Sequence, residues 1–171
     1  MADLALVQAF VAGWDRWLHA LINNACVMAV PELQRTAKGR EMQFASNYLG
    51  HFALTLSLHP WLKAAQGAWM VSVSSTGCLF GSVLWDDPDC RYTNYVPVLA
   101  YAQSKTACIL IAVGIARRWQ ADGITANVLN PGAIATNLQR HTGGLRIREH
   151  LRKGPRARRG YLGLSGRFAG S

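Results

Sequence analysis

Three short apolar runs, each ended by polar residues, constrain what this 171-residue chain can fold into. The runs cover residues 18–22, 68–74 and 124–130, and segments that read as helices precede each of them. Strands that are apolar along nearly their whole length are typical of parallel sheets with both faces covered. The order helix, strand, helix, strand, helix, strand therefore predicts an α/β fold with a doubly wound parallel sheet.

The three helical segments are read from apolar spacing and from their ends. Apolar residues from Leu4 to Trp14 recur at helical spacing. A second helix is predicted over residues 32–62, beginning after Pro31. A third is predicted over residues 98–122 and ends before Gly123. The long segment 78–98 before it is expected to be a functional or a disordered loop.

Composition narrows the class of protein. The formal net charge is +9, yet residues 140–171 hold nine Lys/Arg and one acidic residue, so the charge belongs to this tail. Such tails can bind phosphate backbones, but few aromatic residues interleave here, and no specific nucleic-acid binding is expected.

The four cysteines show no metal-ligand or disulfide spacing, which predicts no metal site and a reducing, cytoplasmic setting. No uninterrupted apolar run reaches the roughly 18 residues that span a bilayer.

Polar side chains gather where the predicted strands end. Asn23-Asn24, Ser74-Ser75 and Asn130-Pro131-Gly132 each follow one apolar run. In sheets of this kind, ligands bind beyond the carboxyl ends of the strands. The three clusters therefore predict one binding site along a single edge of the sheet.

Tyr101 and Lys105, in the stretch "YAQSK", add an acid/base candidate to that edge. Residues four apart lie on one face of a helix. A nearby ammonium favours the phenolate and is expected to lower the pKa of Tyr101 from its ordinary value near 10. The pair could therefore transfer a proton. The alternative is a packed tyrosine next to a solvated lysine.

Five motifs in order resemble one family, namely "NNAC", "NYLGHF", "VSVSS", "YAQSK" and "NPGAIAT". They resemble the short-chain dehydrogenase/reductases, and within them the retinol-dehydrogenase-like bacterial branch. The resemblance implies a partial Rossmann-like domain over residues 1–150. The Gly- and Arg-rich composition of residues 151–171, with little apolar periodicity, predicts a basic, disordered tail. It also implies an oxidoreductase that uses NADP or NAD to interconvert an alcohol and a carbonyl.

The resemblance also assigns roles to residues. Tyr101 would be the acid/base and Lys105 would tune it and hold the nicotinamide ribose. Ser75 would bind the reacting oxygen, while Ser74 would face the structure. Asn47 would complete a tetrad through a water relay toward Lys105, or else be tied to backbone. Further cofactor contacts are implied for Asp3, Asn24, Ala25, Pro131, Gly132 and Thr136.

The chain departs from the family pattern in three places. The glycine-rich turn that holds the cofactor pyrophosphate does not precede the first helix, and the first three strands of the family fold are expected to be absent. The family's "NNAG" reads "NNAC", so Cys26 should crowd the cofactor site. After Lys153 the similarity stops, which could reflect a shifted reading frame. We therefore expect weak or no activity from the chain alone.

Two alternatives concern partners. The chain could be a non-catalytic remnant that pairs with other chains, and the resemblance implies a homodimer formed by the helices at 32–62 and 98–122. The basic tail gives a weaker nucleic-acid alternative. Apolar residues in the segment 78–98 suggest an apolar small-molecule substrate, although simple packing explains them equally well.

Overall fold

The structure, a computed structural model, describes residues 1–132 together with Leu138 and His141. Five α-helices and three strands make up the described fold. The helices are α1 (Leu4–Ala12), α2 (Met42–Phe44), α3 (Gly50–Ser57), α4 (His59–Ala64) and α5 (Pro97–Arg118). The strands are β1 (Ala20–Asn23), β2 (Trp69–Val73) and β3 (Thr125–Leu129). A π-helical turn, Ala45–Leu49, joins α2 to α3, and short 3-10 turns occupy Thr76–Phe80 and Gln120–Asp122.

The strands form one parallel sheet in the order β1-β2-β3. In register, Leu21 pairs with Met70 and Met70 pairs with Ala126. Helices precede and connect the strands, as a parallel sheet requires. The predicted α/β class and the partial Rossmann-like sheet are confirmed.

The main core lies on the face of the sheet that α4 and α5 cover. Met70 and Leu62 are fully buried there, and they pack with Leu58, Ile111 and Ile115. Ile22 points to the opposite face of β1 because successive strand residues alternate, and its side chain is 47% exposed. Within the described residues, β1 therefore has one face and one edge without a neighbouring helix or strand.

The predicted helix over 32–62 is wrong in its first ten residues. Gly39 takes a left-handed backbone at φ 73°, and Thr36 and Arg40 close a turn around it. The helix begins only at Met42, because the Glu41 carboxylate accepts hydrogen bonds from the backbone N–H groups of Gln43 and Phe44 at 2.8 and 2.6 Å. This is the capping that a helix start needs.

The third helix agrees better with the sequence. Its regular part ends at Arg118, and Gly123 caps the following 3-10 turn in the left-handed conformation at φ 73°.

By length and composition α5 is also apolar enough to cross a membrane, with a mean hydropathy of 1.6, but 61% of that stretch is buried inside the protein. A buried core helix passes the same test, so the absence of a membrane span stays a prediction.

The segment 78–98 is held by hydrogen bonds rather than by regular structure. The Asp87 carboxylate accepts from the backbone N–H groups of Arg91, Tyr92 and Thr93 at 2.7 to 3.0 Å. Burial alone would raise the pKa of Asp87. The hydrogen bonds outweigh that effect and lower the pKa to about 2. Asp87 thus stays ionised and organises the loop at neutral pH.

The buried position of Leu62 gives a stability test. Replacing Leu62 with Ala removes a fully buried side chain between α4 and the sheet. We expect a loss of about 2–5 kcal/mol in the free energy of unfolding, measured by urea denaturation. The matched control is Leu6→Ala, because Leu6 is 68% exposed, and it should change that free energy by less than about 0.5 kcal/mol. Equal losses in both variants would contradict the core described here.

Candidate active site

Ser75 and Tyr101 meet at the carboxyl end of β2. Ser75 follows the strand, and its hydroxyl oxygen accepts from the Gly77 N–H at 3.1 Å, which starts the 3-10 turn. Ser75 Oγ lies 3.5 Å from the position that a Cβ on Gly77 would take. Gly77 lies against the phenol, since a Cβ on Gly77 would come 2.9 Å from Tyr101 Cε1. A glycine is required there for the turn to contact the ring.

Lys105 lies one helical turn beyond Tyr101 and is 3% exposed. Its Nζ donates to the Val73 carbonyl at 2.9 Å, at the last residue of β2. The same Nζ is 5.7 Å from the centre of the Tyr101 ring, within the range of a cation–π contact. The spacing of Tyr101 and Lys105 on one helix face is as the sequence predicts.

The pKa of Tyr101 differs from the sequence expectation. Burial raises it, the neighbouring Cys26 raises it further, and the neighbouring Ser75 hydroxyl lowers it. The net direction is upward from the ordinary value of 10. The expected net lowering is therefore not found, because burial of the phenol is the largest influence on its pKa.

Asn47 is fully buried in the π-helical turn, and both polar atoms of its side chain have partners. Its Oδ1 accepts from the Val27 N–H at 2.9 Å, while its Nδ2 donates to the Val27 carbonyl at 2.9 Å and to Ser104 Oγ at 3.0 Å. These contacts match the alternative in which Asn47 is tied to backbone. Its role in a water relay stays a prediction. π-Helical turns are frequent at functional sites.

Ser74 faces the structure, as the sequence predicts. Its hydroxyl donates to the backbone carbonyl of Lys105 at 2.8 Å, and its side chain is buried. This bond and the bond from Lys105 Nζ to the Val73 carbonyl therefore join the end of β2 to α5.

The predicted cofactor contacts are spread over three segments. Asn24 is half-buried and Ala25 exposed just after β1, and Pro131 is half-buried after β3. Gly132 has φ 72° and donates its N–H to Asn130 Oδ1 at 3.1 Å. Asp3 caps α1, accepting from Ala5 N at 2.9 Å. Thr136 lies outside the described residues, as do the residues of the basic tail beyond His141. The assigned cofactor roles stay predictions.

Three residues near the site were missed or only half anticipated. Cys26 was expected to crowd the cofactor, and it also raises the pKa of Tyr101. His51 and Cys108 both donate to the Asn47 carbonyl, at 2.8 and 3.2 Å. The spacing of His51 four residues after Asn47 could have suggested this contact.

A cleft of about 310 Å³ opens beside the first turns of α5. Phe80, Leu84, Val96, Leu99 and Ala100 contribute to its wall. Ser75, Tyr101 and Lys105 do not line it. The apolar residues of the segment 78–98 therefore adjoin the candidate site through Ala100, next to Tyr101, without enclosing Ser75 or Tyr101.

The fold and the site together define a Rossmann-like α/β protein with polar and ionisable side chains at the carboxyl ends of parallel strands. The model of the short chain dehydrogenase family matches residues 3–144. The chain therefore belongs to the short-chain dehydrogenase/reductase family.

Relatives agree with this assignment. The chain is 50% identical over 141 residues to a "Probable oxidoreductase" of Streptomyces lividans, covering 82% of this chain and 47% of the relative. It is 43% identical over 146 residues to retinol dehydrogenase 13 of Homo sapiens, covering 84% and 44%. The chain thus spans about half the length of the curated relatives it matches.

Solved structures show the same fold. An uncharacterised protein from Mycobacterium paratuberculosis superposes with a TM-score of 0.72 at 39% identity, covering 82% of this chain and 51% of that one. An NADPH-bound carbonyl reductase from chicken fatty liver superposes with a TM-score of 0.70 at 23% identity, covering 95% and 66%. The second similarity supports the fold alone.

His51, which contacts the Asn47 carbonyl, allows the packing around the candidate site to be tested by the pH dependence of stability. Burial lowers the pKa of His51 to about 4, although its hydrogen bond to the Asn47 carbonyl raises it. Between about pH 6.5 and pH 4, His51 binds a proton in the unfolded chain but not in the folded chain. The free energy of unfolding therefore falls on acidification, by up to roughly 3 kcal/mol. His51→Gln should flatten this decline in urea titrations at successive pH values.

The control for this test is His19→Gln, which changes an exposed histidine. It should leave the pH dependence of the wild-type chain unchanged. A decline in the His51→Gln variant as steep as in the wild type would contradict the buried neutral state of His51.

Proposed function

We propose that this site transfers a proton to or from a substrate oxygen during NAD(P)-dependent interconversion of an alcohol and a carbonyl. The observation that carries the proposal is that Ser75 Oγ and the Tyr101 ring both lie against Gly77 at the end of β2, with the Lys105 ammonium next to the same ring. A hydroxyl donor and a proton source held at one position suit an oxygen whose charge changes during reaction.

The donor set fits a nicotinamide ribose. Among the described residues, Val73 O is the one hydrogen-bond acceptor of Lys105 Nζ, which leaves two ammonium protons for other acceptors. A ribose diol offers such acceptors, and the Tyr101 hydroxyl is a second polar group in reach. When bound there, the cofactor would supply or accept the hydride. Asn24, Ala25, Pro131 and Gly132 are the further contacts we propose.

Each side chain has a separate task in the proposed reaction. Ser75 donates a hydrogen bond to the substrate oxygen and orients it. Tyr101, which is 4% exposed and has a raised pKa, holds its proton at neutral pH and gives it to the oxygen of a carbonyl. The Lys105 charge then stabilises the phenolate that remains.

The chain alone is expected to be a weak enzyme. Positioning of reactants supplies roughly 7–11 kcal/mol of barrier reduction, and it depends on contacts with remote parts of the cofactor. No glycine-rich turn precedes α1 in the 171 residues. We propose that NADP is preferred over NAD and that the substrate is apolar, as in the family branch that the motifs resemble.

Cofactor titration tests this function. We expect that NADPH and NADH, followed by nicotinamide fluorescence, bind more weakly than micromolar. Any turnover should fall by about 10²–10⁴ in Tyr101→Phe, because the variant lacks the proton donor. The matched control is Tyr92→Phe, since Tyr92 is 88% exposed.

Two results would count against these statements separately. Saturable micromolar binding would contradict the expected loss of affinity. Turnover that survives Tyr101→Phe would contradict the proposed site.

A second candidate function is pairing with another copy of this chain. Apolar side chains remain exposed on the helical segments for which a homodimer is expected, among them Leu56 at 45%, Val98 at 52% and Leu110 at 44%. Burying such side chains in a shared interface would be favourable by about 25 cal/mol per Å². We propose an isologous dimer through the helices at 42–64 and 97–118.

Sedimentation velocity tests the dimer. Leu110→Glu places a charge on the proposed interface and should shift the chain from dimer to monomer. Leu6→Glu changes an exposed apolar residue on α1 and should leave the distribution as in the wild type. A monomeric wild type, or a dimer indifferent to Leu110→Glu, would contradict this interface.

A further inference from the structure

Gln43 is a fully buried residue whose side-chain amide joins the segment after β1 to the first turn of α5. Its Oε1 accepts a hydrogen bond from the Ala29 N–H at 2.8 Å. Its Nε2 donates to the Tyr95 hydroxyl and to the Pro97 carbonyl, each at 3.0 Å. Both amide hydrogens therefore have an acceptor, and three segments of the chain meet on one side chain.

Tyr95 completes the connection to the segment after β1. Its hydroxyl accepts from Gln43 and donates to the Val30 carbonyl at 2.7 Å. Ala29 and Val30 are both buried, so these two side chains take the place of water as partners of the backbone groups. The dipeptide is thus held at its N–H by Gln43 and at its carbonyl by Tyr95.

Ala29 has a backbone conformation that needs such support. Its φ is 49°, in the left-handed region that is unfavourable for a residue with a Cβ. A conformation of this kind persists where the surrounding contacts determine it, and it is frequent at functional sites. The bonds from Gln43 and Tyr95 lie directly at Ala29 and at the residue after it, which indicates that the position of this segment matters.

The bond to Pro97 connects the same amide to the proposed acid. Pro97 is the first residue of α5, and in an α-helix the carbonyl of residue 97 faces the N–H of residue 101. Gln43 therefore holds the carbonyl from which the helical turn that carries Tyr101 begins.

A second amide, one helical turn along from position 43, acts in parallel. Asn47 binds both backbone polar groups of Val27 and also donates to Ser104 Oγ. The Ser104 hydroxyl in turn donates to the Tyr101 carbonyl at 2.7 Å. The segment 27–30 is thus tied at both of its ends to the turn of α5 that carries Tyr101.

We infer that Gln43 is a positioning residue, which fixes the segment after β1 and the phenol of Tyr101 at one separation through the Pro97 carbonyl. The inference rests on the proposed function for one point, namely that the space being fixed is the space between the cofactor contacts at Asn24 and Ala25 and the proton donor. The hydrogen bonds themselves are present without cofactor or substrate.

Amide hydrogen exchange and tyrosine NMR test the inference without turnover. Gln43→Met keeps a side chain of similar length but none of its hydrogen bonds. In this variant the Ala29 amide should exchange about tenfold faster relative to the Val71 amide in the central strand. The ratio separates local from global opening, because global unfolding exposes both amides. The ¹³Cζ resonance of Tyr101, assigned by its loss in Tyr101→Phe, should also shift.

Two further variants separate positioning from a general loss of stability. Gln43→Glu keeps an oxygen acceptor for the Ala29 N–H, so it should retain most of the protection that Gln43→Met loses. Leu62→Ala removes a fully buried side chain of α4 and leaves the bonds of Gln43 in place. It should keep the wild-type exchange ratio and the wild-type Tyr101 resonance. Equal loss of protection in the two Gln43 variants would overturn the role of the side-chain oxygen.

Tyr95→Phe takes the place of Gln43→Met if that variant does not fold. It removes the bond to the Val30 carbonyl and one partner of the Gln43 amide, and it should change both readouts in the same direction by a smaller amount. The inference is overturned if the substituted chain matches Leu62→Ala in the exchange ratio. It is also overturned if the ratio changes while the Tyr101 resonance stays at its wild-type position.

These outcomes are distinct from those of the cofactor titration. Failure of cofactor binding, or turnover that survives Tyr101→Phe, would count against the proposed function. Neither result would alter the exchange ratio of Ala29 or the Tyr101 resonance on which this inference is judged.

Discussion

Two hydrogen bonds between β2 and α5 hold the site in place. Lys105 Nζ donates to the Val73 carbonyl at 2.9 Å, and Ser74 Oγ donates to the Lys105 carbonyl at 2.8 Å. The first uses the side chain of Lys105 and the second its backbone, so the helix is fixed in both height and rotation against the strand end. Tyr101, one turn earlier on the same face, is then directed to the position where Ser75 leaves the strand. Displacing α5 by one residue would separate the phenol from the serine.

Burying Lys105 is costly, and the surroundings show how the cost is offset. An ammonium that is 3% exposed loses most of its hydration. In the described part of the chain it is compensated by a carbonyl and by the face of the Tyr101 ring, rather than by a carboxylate. A buried ion pair would neutralise the charge, whereas a carbonyl leaves it available to a neighbouring anion. Among the described residues the ammonium therefore lies next to the phenol ring without a carboxylate partner.

Much of the fold and part of the site could be predicted from the sequence, for identifiable reasons. Continuous apolar runs with polar ends placed the three strands, and the four-residue spacing of Tyr101 and Lys105 placed both on one helix face. The start of the second helix was misplaced, because Pro31 resembles a helix start while the actual cap is the side chain of Glu41 folding back on its own helix. Local patterns do not show which of two plausible caps the surrounding loop supports, and here Asp89 anchors the Glu41 N–H at 3.0 Å.

The tuning of Tyr101 could not be predicted, because it depends on contacts between segments far apart in the sequence. A lysine four residues away suggests a lowered pKa, but only the folded chain shows that its ammonium is directed to Val73. Likewise, cysteine at position 26 suggests a bulkier side chain than glycine, but only the folded chain shows that Cys26 also raises the pKa of Tyr101. The strength of an acid in a buried site is thus decided by where its neighbours direct their own protons and charges, as much as by which residue types lie close to it in the sequence.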